Sequence, residues 1–198
     1  GQPIYGNLWL TTIDGDHTWR QDSAMAFNSL FRFHRPDDGN TVTWTFSGLD
    51  SGTYQVYADW STTLYIDPAR NAPYSIFDGA APEATVLVDQ RRPPADAEFT
   101  DALNGQDRLD VWKLLGTYSI TSGTLSVQLG DSADGDVTAG RIRIVNTVTG
   151  ASRIISNQDP APAYVETSGV VATLASSSSL VTALDGGSVP GALAALQA

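Results

Sequence analysis

Along the first half of the chain apolar and polar residues alternate with a period of two. Phe27, Phe31 and Phe33 stand at odd positions with Asn28, Arg32 and His34 between them. Val42, Trp44 and Phe46 interleave with Thr41, Thr43 and Thr45, and Tyr54, Val56, Ala58 and Trp60 interleave with Thr53, Gln55, Tyr57 and Asp59. Successive side chains leave a strand on opposite faces, so this alternation predicts strands with one face in a core and the other in water. Residues 48–52 join the last two runs into a hairpin, and Pro36 with Asp37-Asp38-Gly39-Asn40 turns the chain after the first. Further strands are predicted over 74–77, 84–90, 114–120, 124–129 and 137–145, most of them bounded by Gly, Pro, Asp or Ser.

Residues 1–23 mix Leu10 and Ile13 with turn-forming Asp14, Gly15 and Asp16 and read as a lead-in with one or two short strands. No amphipathic helical pattern opens in the first 155 residues. Short strands at close spacing then predict an all-β fold, an antiparallel β-sandwich that is jelly-roll-like, with an extended C-terminal tail. The composition changes after Asn157 to Pro160, Pro162, a serine run at 176–179 and many Ala, Val and Leu. The expected organisation is a sandwich over 1–157 and a Ser/Ala/Gly-rich apolar tail over 158–198. The tail is poorly suited to stand alone in water, so it is expected to pack on its own domain or on a neighbouring chain. Two long excursions, 61–73 and 91–111, exceed ordinary hairpin loops and are places where function concentrates.

Charge and chemistry narrow the picture. The chain has no cysteine, which excludes thiol catalysis, cysteine-type zinc sites and disulfides. Acidic residues number 22 against 11 basic ones, for a net charge of -11, and that field repels phosphate backbones, so no nucleic acid is expected as a partner. The basic residues are arginines apart from Lys113, and the acids are mostly aspartate; a saline or extracellular setting and a GC-rich genome both account for this. No apolar run is long enough for a transmembrane segment, and no basic and apolar leader opens at Gly1; for an exported protein the expectation is that Gly1 is a mature or an engineered start. His17 and His34 are the only histidines, and no nucleophile elbow, zinc-protease helix or phosphate loop occurs. The protein is therefore not expected to be an enzyme; catalysis would need at least two of Asp59, Asp67, Asp89 and His34 in one cleft.

Sugar rings are gripped by flat aromatic faces beside hydrogen-bonding groups, because their C–H faces are apolar and their hydroxyls polar. Parity puts Trp44, Phe46, Tyr54 and Trp60 toward the core and Tyr57 on the opposite face; with Trp9, Trp19 and Tyr65 in less regular segments, these make the carbohydrate-binding candidates. Asp131, Asp134 and Asp136 gather carboxylates on one turn, the donor set that calcium prefers, though the spacing is not that of an EF-hand and a plain Asp-Gly turn is the competing reading. No other cofactor is called for. Asn71-Ala72-Pro73-Tyr74 and Asp89-Gln90-Arg91 read as strand-end devices, with Gln90 bonding a loop backbone.

Several motifs fall together in order: Tyr54-Gln55-Val56-Tyr57-Ala58-Asp59-Trp60, Asn71-Ala72-Pro73-Tyr74-Ser75-Ile76, Val88-Asp89-Gln90-Arg91, Trp112 with Leu115-Gly116-Thr117-Tyr118, and Gly135-Asp136-Val137 leading to Arg141-Ile142-Arg143-Ile144. At these spacings the chain resembles, over about residues 7–145, the carbohydrate-binding-like domain found at the C-terminus of golvesin and in xanthan lyases. The resemblance implies a non-catalytic β-sandwich module of secreted or surface bacterial proteins, directed at polysaccharide. Two departures stand out: Ala139-Gly140 where that family often carries Asp-Ala, and a longer insertion over 93–110. The expectation is an extracellular or cell-surface binding and adhesion module whose partner is polysaccharide or neighbouring copies of itself. The alternative is a structural subunit of a self-assembling filament or surface layer, its tail adding a strand to a neighbour's sheet edge.

Overall fold

The computed structural model describes residues 20–22, 31–34, 36, 39–60, 62, 67–103 and 106–167. Among them the regular structure is all strand: β1 (Arg20–Asp22), β2 (Phe31–His34), β3 (Thr41–Ser47), β4 (Gly52–Ala58), β5 (Ala72–Asp78), β6 (Ala81–Val88), β7 (Ala97–Leu103), β8 (Gln106–Ile120), β9 (Thr124–Gly130), β10 (Val137–Ala139), β11 (Ile142–Asn146), β12 (Ser152–Ile155) and β13 (Tyr164–Thr167). Sheet I runs β13-β3-β9-β5-β6 and sheet II runs β12-β11-β4-β8-β7, while β1-β2-β10 form a small third sheet. Every ladder between these strands is antiparallel. The fold is a β-sandwich, as the alternation predicts.

The core lies between sheets I and II. Sheet I contributes Val42, Trp44 and Phe46 from β3, Leu125, Val127 and Leu129 from β9, and Tyr74 and Ile76 from β5; sheet II answers with Tyr54, Val56, Ile142, Ile144 and Leu115. Each apolar side chain of this size contributes about 1.5 to 3 kcal/mol by leaving water, so the facing of every strand is fixed by what it buries. Trp60 also reaches the core, with its indole N–H donating to the Arg92 carbonyl at 2.9 Å.

One irregularity in β8 reverses a facing. Val56 pairs with Gly116 but Tyr57 pairs with Leu114, so Leu115 is an extra residue on β8. Gly116 has φ +151°, and a Cβ there would fall on the ring and hydroxyl of Tyr118, whose O–H donates to the Leu115 carbonyl. Such a bulge turns Leu115 into the core and reverses the parity of what precedes it, sending Leu114 and Trp112 to the outer face of sheet II.

The structure differs from the sequence expectation in four places. Residues 48–52 do not close a hairpin: β3 pairs with β13 and β9 in sheet I and β4 with β11 and β8 in sheet II, so the link carries the chain across the core from one sheet to the other, where the two apolar faces meet. The excursion 91–111 is largely a hairpin, β7 on the first part of β8, in a stretch whose Glu98, Asp101, Asp107, Arg108 and Asp110 obscure the alternation. The strand expected over 137–145 is interrupted into β10 and β11, because the chain at Gly140 and Arg141 turns to meet Asp59. The sandwich also continues past Asn157: β13 pairs with β3 along Tyr164–Thr167, and the Tyr164 ring packs 5.6 Å from Trp44 at 55°. The start of the expected tail is thus an edge strand of its own sheet, while residues 168–198 lie outside the described residues. If β13 is part of the cooperative fold, Tyr164→Ala lowers unfolding free energy by about 3 kcal/mol in urea titrations; an unchanged midpoint would show that β13 is not integral to it.

Candidate functional site

The residues singled out from sequence go to different places. Trp9, Trp19 and Tyr65 lie outside the described residues. Tyr57 stands on the outer face of sheet II, yet it is only 6% exposed. Its ring meets Phe99 edge-on at 5.2 Å and 79°, and its hydroxyl donates to Gln55 Oε1 at 3.1 Å. Burial pushes its phenol up, and the nearby Arg143 charge opposes that.

That outer face is a second packed layer. The Arg143 guanidinium lies 3.9 Å from the centre of Phe99 and 6.0 Å from that of Trp112, and Arg141 lies 4.9 Å over Trp112, which is fully buried. Cations on aromatic faces are worth most where water is excluded. Arg141 also spans two carboxylates: Nε donates to Asp59 Oδ2 at 2.7 Å and Nη1 to Asp110 Oδ2 at 2.9 Å, while its backbone N–H donates to Asp59 Oδ1 at 2.5 Å. Burial pushes the Asp59 carboxyl up and Arg141 pulls it back toward the ionised form. A Cβ on Gly140 would sit 2.5 Å from the Asp59 carbonyl oxygen and 2.6 Å from Oδ1, which explains glycine at this departure from the family pattern.

At one end of the sandwich the loops 67–71, 89–92 and 131–136 interlock. Asp131 Oδ2 accepts from the backbone and the side-chain nitrogen of Asn40 at 3.0 and 3.1 Å; Asp134 Oδ1 accepts from Arg70 N at 2.7 Å while Asn71 Oδ1 accepts from Asp134 N at 2.8 Å. Asp136 Oδ2 accepts from Asp67 N at 3.2 Å, and Gly135 is packed so closely that a Cβ would come 2.6 Å from the Asp67 carbonyl oxygen. Among the described residues no group of three or more metal-ligating side chains forms. The turn's carboxylates instead bind backbone amides of neighbouring loops.

Gln90, fully buried, ties this end to the core. Its Nε2 donates to the Tyr74 hydroxyl at 3.0 Å and to the Thr138 carbonyl at 2.9 Å, and its Oε1 accepts from Thr138 N at 2.8 Å. The side-chain amide thereby pairs with Thr138 as another strand's backbone would. Beside it Asp89 is exposed and clasped by Arg91, through Nε at 2.8 Å and Nη2 at 2.5 Å. Hydrogen bonds from the Arg91 side chain and backbone hold the Asp89 carboxyl down at about 2. Asp59, Asp67 and Asp89 thus have separate partners: Arg141, the Asp136 loop and Arg91.

The outer face of sheet I differs in kind. Because Val42, Trp44 and Phe46 point inward, Thr41, Thr43 and Thr45 point out, and the same logic turns out Ser126 and Gln128 on β9, Pro73 and Ser75 on β5, Thr85 and Leu87 on β6, and Val165 on β13. Cross-strand register aligns them in rows. Val165 pairs with Thr43, Thr43 with Gln128, Gln128 with Ser75 and Ser75 with Thr85, so one row crosses all five strands. Beside it run Thr167, Thr41, Gly130, Pro73 and Leu87 on one side and Thr45, Ser126, Phe77 and Pro82 on the other. Gln128 Nε2 donates to Thr43 Oγ1 at 3.3 Å, and the Ser75 and Thr85 hydroxyls are 2.9 Å apart.

None of these rows holds an Asp, Glu, Lys or Arg. Glu83, the bulged residue of β6, helps raise the Tyr118 phenol after burial, which puts its charge on the Tyr118 side of the strand. Leu87 is 64% exposed and Val165 39% exposed, at opposite margins of the face. Sequence reasoning sought aromatics and passed over these residues, although the signal was present: the polar partners of Val42, Trp44 and Phe46 are all threonine.

The golvesin C-terminal domain family model matches residues 10–146. Among solved structures, a Paenibacillus xanthan lyase structure is similar at 26% identity and a TM-score of 0.49, over 66% of this chain and 11% of that one. The chain thus spans about a tenth of the length of that lyase. No curated protein matches.

Two measurements test the loop end. Gln90→Ala leaves the Thr138 amide and carbonyl without the side-chain amide that pairs them, and unfolding free energy falls by about 2 kcal/mol; a change within error would mean solvent replaces that amide freely. Carbon NMR is expected to show the Asp89 carboxyl titrating near 2, so that its contribution to stability is present above its ordinary value of 3.8 and is lost only as pH falls from there through about 2. A midpoint at the ordinary value would show that the clasp by Arg91 does not hold in solution.

Proposed function

This chain belongs to the golvesin C-terminal domain family, and we propose that it is a non-catalytic extracellular module that binds polysaccharide through the outer face of sheet I. The observation that carries this reading is the charge-free array of hydroxyl and amide side chains on a protein of net charge -11. Surfaces that bind are depleted of charge at their centre, because ions give up their hydration reluctantly. Each Ser or Thr hydroxyl offers one donor and two acceptor positions, and Gln128 adds both kinds, so the row matches the mixed hydroxyls of a sugar chain. Phe77 and Leu87 add apolar area for sugar C–H faces.

Three of the described acids are already engaged by neighbouring groups, which supports binding over chemistry. Hydrogen bonds from Ser122 and Thr121 hold Asp78 well below the usual carboxylate range, and Arg91 does the same for Asp89. Neither carries a proton at neutral pH, so neither serves as a general acid. Asp59 is engaged on both oxygens by Arg141.

Affinity electrophoresis through gels cast with a panel of neutral and acidic polysaccharides is the direct test. Retardation by at least one polymer, with no release of reducing ends or unsaturated products, is expected. Unchanged migration in every gel would overturn the binding role, and polymer breakdown would overturn the non-catalytic one.

A further inference from the structure

We infer that the polymer taken by this face is uncharged and lies across the strands, along the row of Thr43, Gln128, Ser75 and Thr85. The inference rests on the polysaccharide-binding reading and adds to it a chemical class and a direction.

The direction follows from register. Neighbouring strands are about 4.8 Å apart, so the four side chains present polar groups over about 14 Å in one line, whereas along any one strand the same face recurs only every 6.7 Å or so. Their intramolecular bonds, Gln128 to Thr43 and Ser75 with Thr85, fix the rotamers of two pairs without exhausting their capacity. A ligand meets groups already oriented, which lowers the ordering cost of binding. Pro73 and Gly130, which meet beside the row with 3.8 Å between the proline ring and the position of a glycine Cβ, keep that flank low.

The class follows from charge. A polyanion on this face would gain no ion pair from the rows themselves while entering the field of an acidic protein. Two arginines are committed elsewhere, Arg91 to Asp89 and Arg141 to Asp59 and Asp110. A polycation would meet no carboxylate in the rows. A neutral chain loses no ion hydration and exchanges water hydrogen bonds for hydroxyl ones.

Titration calorimetry with neutral glucans and mannans and with acidic uronate-containing polymers, at about 0.05 and 0.5 M salt, tests this. A neutral polymer should bind with affinity unchanged within about twofold between the two salts, since screening acts only on charge. Thr43→Ala with Gln128→Ala should weaken it about tenfold or more, as expected for two lost hydrogen bonds. Thr85→Lys, at an exposed position, should weaken it as well, and Arg91→Ala at the loop end should not. Melting temperatures are measured for each variant, and Thr85→Lys serves if the double variant does not fold. Salt-sensitive binding to acidic polymers alone would overturn the inference and leave the binding role standing. So would neutral binding that survives both row variants. Failure of every polymer to bind would overturn both.

Discussion

Burial on one side of sheet I dictates what appears on the other. Trp44, Phe46, Leu125, Val127, Leu129, Tyr74 and Ile76 all enter the core, and a slip of one residue in any of these strands would carry a whole set of them into water. Each such side chain is worth about 1.5 to 3 kcal/mol, so a slipped β3 alone would forfeit several kcal/mol, a large share of the stability of a domain this size. The register that results also sets the polar side chains opposite one another. Alignment of Thr43, Gln128, Ser75 and Thr85 is therefore a by-product of packing, maintained by residues that a ligand would never touch.

Sheet II solves a different problem. Its outer face carries Trp112, Tyr57, Phe99, Arg141 and Arg143, and it is closed. The bulge at Leu115 makes this possible, because without the extra residue Trp112 would point inward and Arg141 would have no ring to cover. The two sheets of one sandwich thus differ in the status of their outer faces. One is a buried aromatic and cationic layer that rigidifies the long β8 and its hairpin, and the other remains a polar surface.

Much of the architecture was legible from residue pattern. The alternation in 41–47 and 52–58 gave strands and facings that hold residue by residue, including Trp44, Phe46, Tyr54 and Trp60 in the core and Tyr57 outside it. Four things were not legible. Parity gives the facing of 41–47 and 52–58 but not the sheet each joins, so the link over 48–52 reads as a hairpin turn although it crosses between sheets. Strand β7 and the first part of β8 were hidden by Glu98, Asp101, Asp107, Arg108 and Asp110, which break the alternation of apolar and polar positions. The split at Gly140 depends on Asp59, far away in sequence, whose carboxylate occupies the space a side chain would take. The reach of the sandwich to Thr167 depends on Tyr164 finding Trp44, and the short Tyr164–Thr167 segment has too few residues to display a period. For the candidate face, parity showed that Thr41, Thr43 and Thr45 point outward, but only the register of five strands shows that they join Gln128, Ser75 and Thr85 in rows.

The motifs that carry the family resemblance lie mostly where they hold the fold. Asn71, Gln90, Gly135 and Asp136 lock the loop end, Gly116 shapes the bulge, and Arg141 and Arg143 build the layer on sheet II. Of the central row, Ser75 alone falls within those motifs, while Thr43, Gln128 and Thr85 fall outside them. A scaffold whose defining residues are spent on loop locks and a closed face leaves its open face free to vary without loss of fold, since exposed substitutions on a sheet usually change stability by about half a kcal/mol or less. Membership of the family therefore fixes the sandwich, and the outward positions of β3, β9, β5 and β6 set the chemistry of its open face.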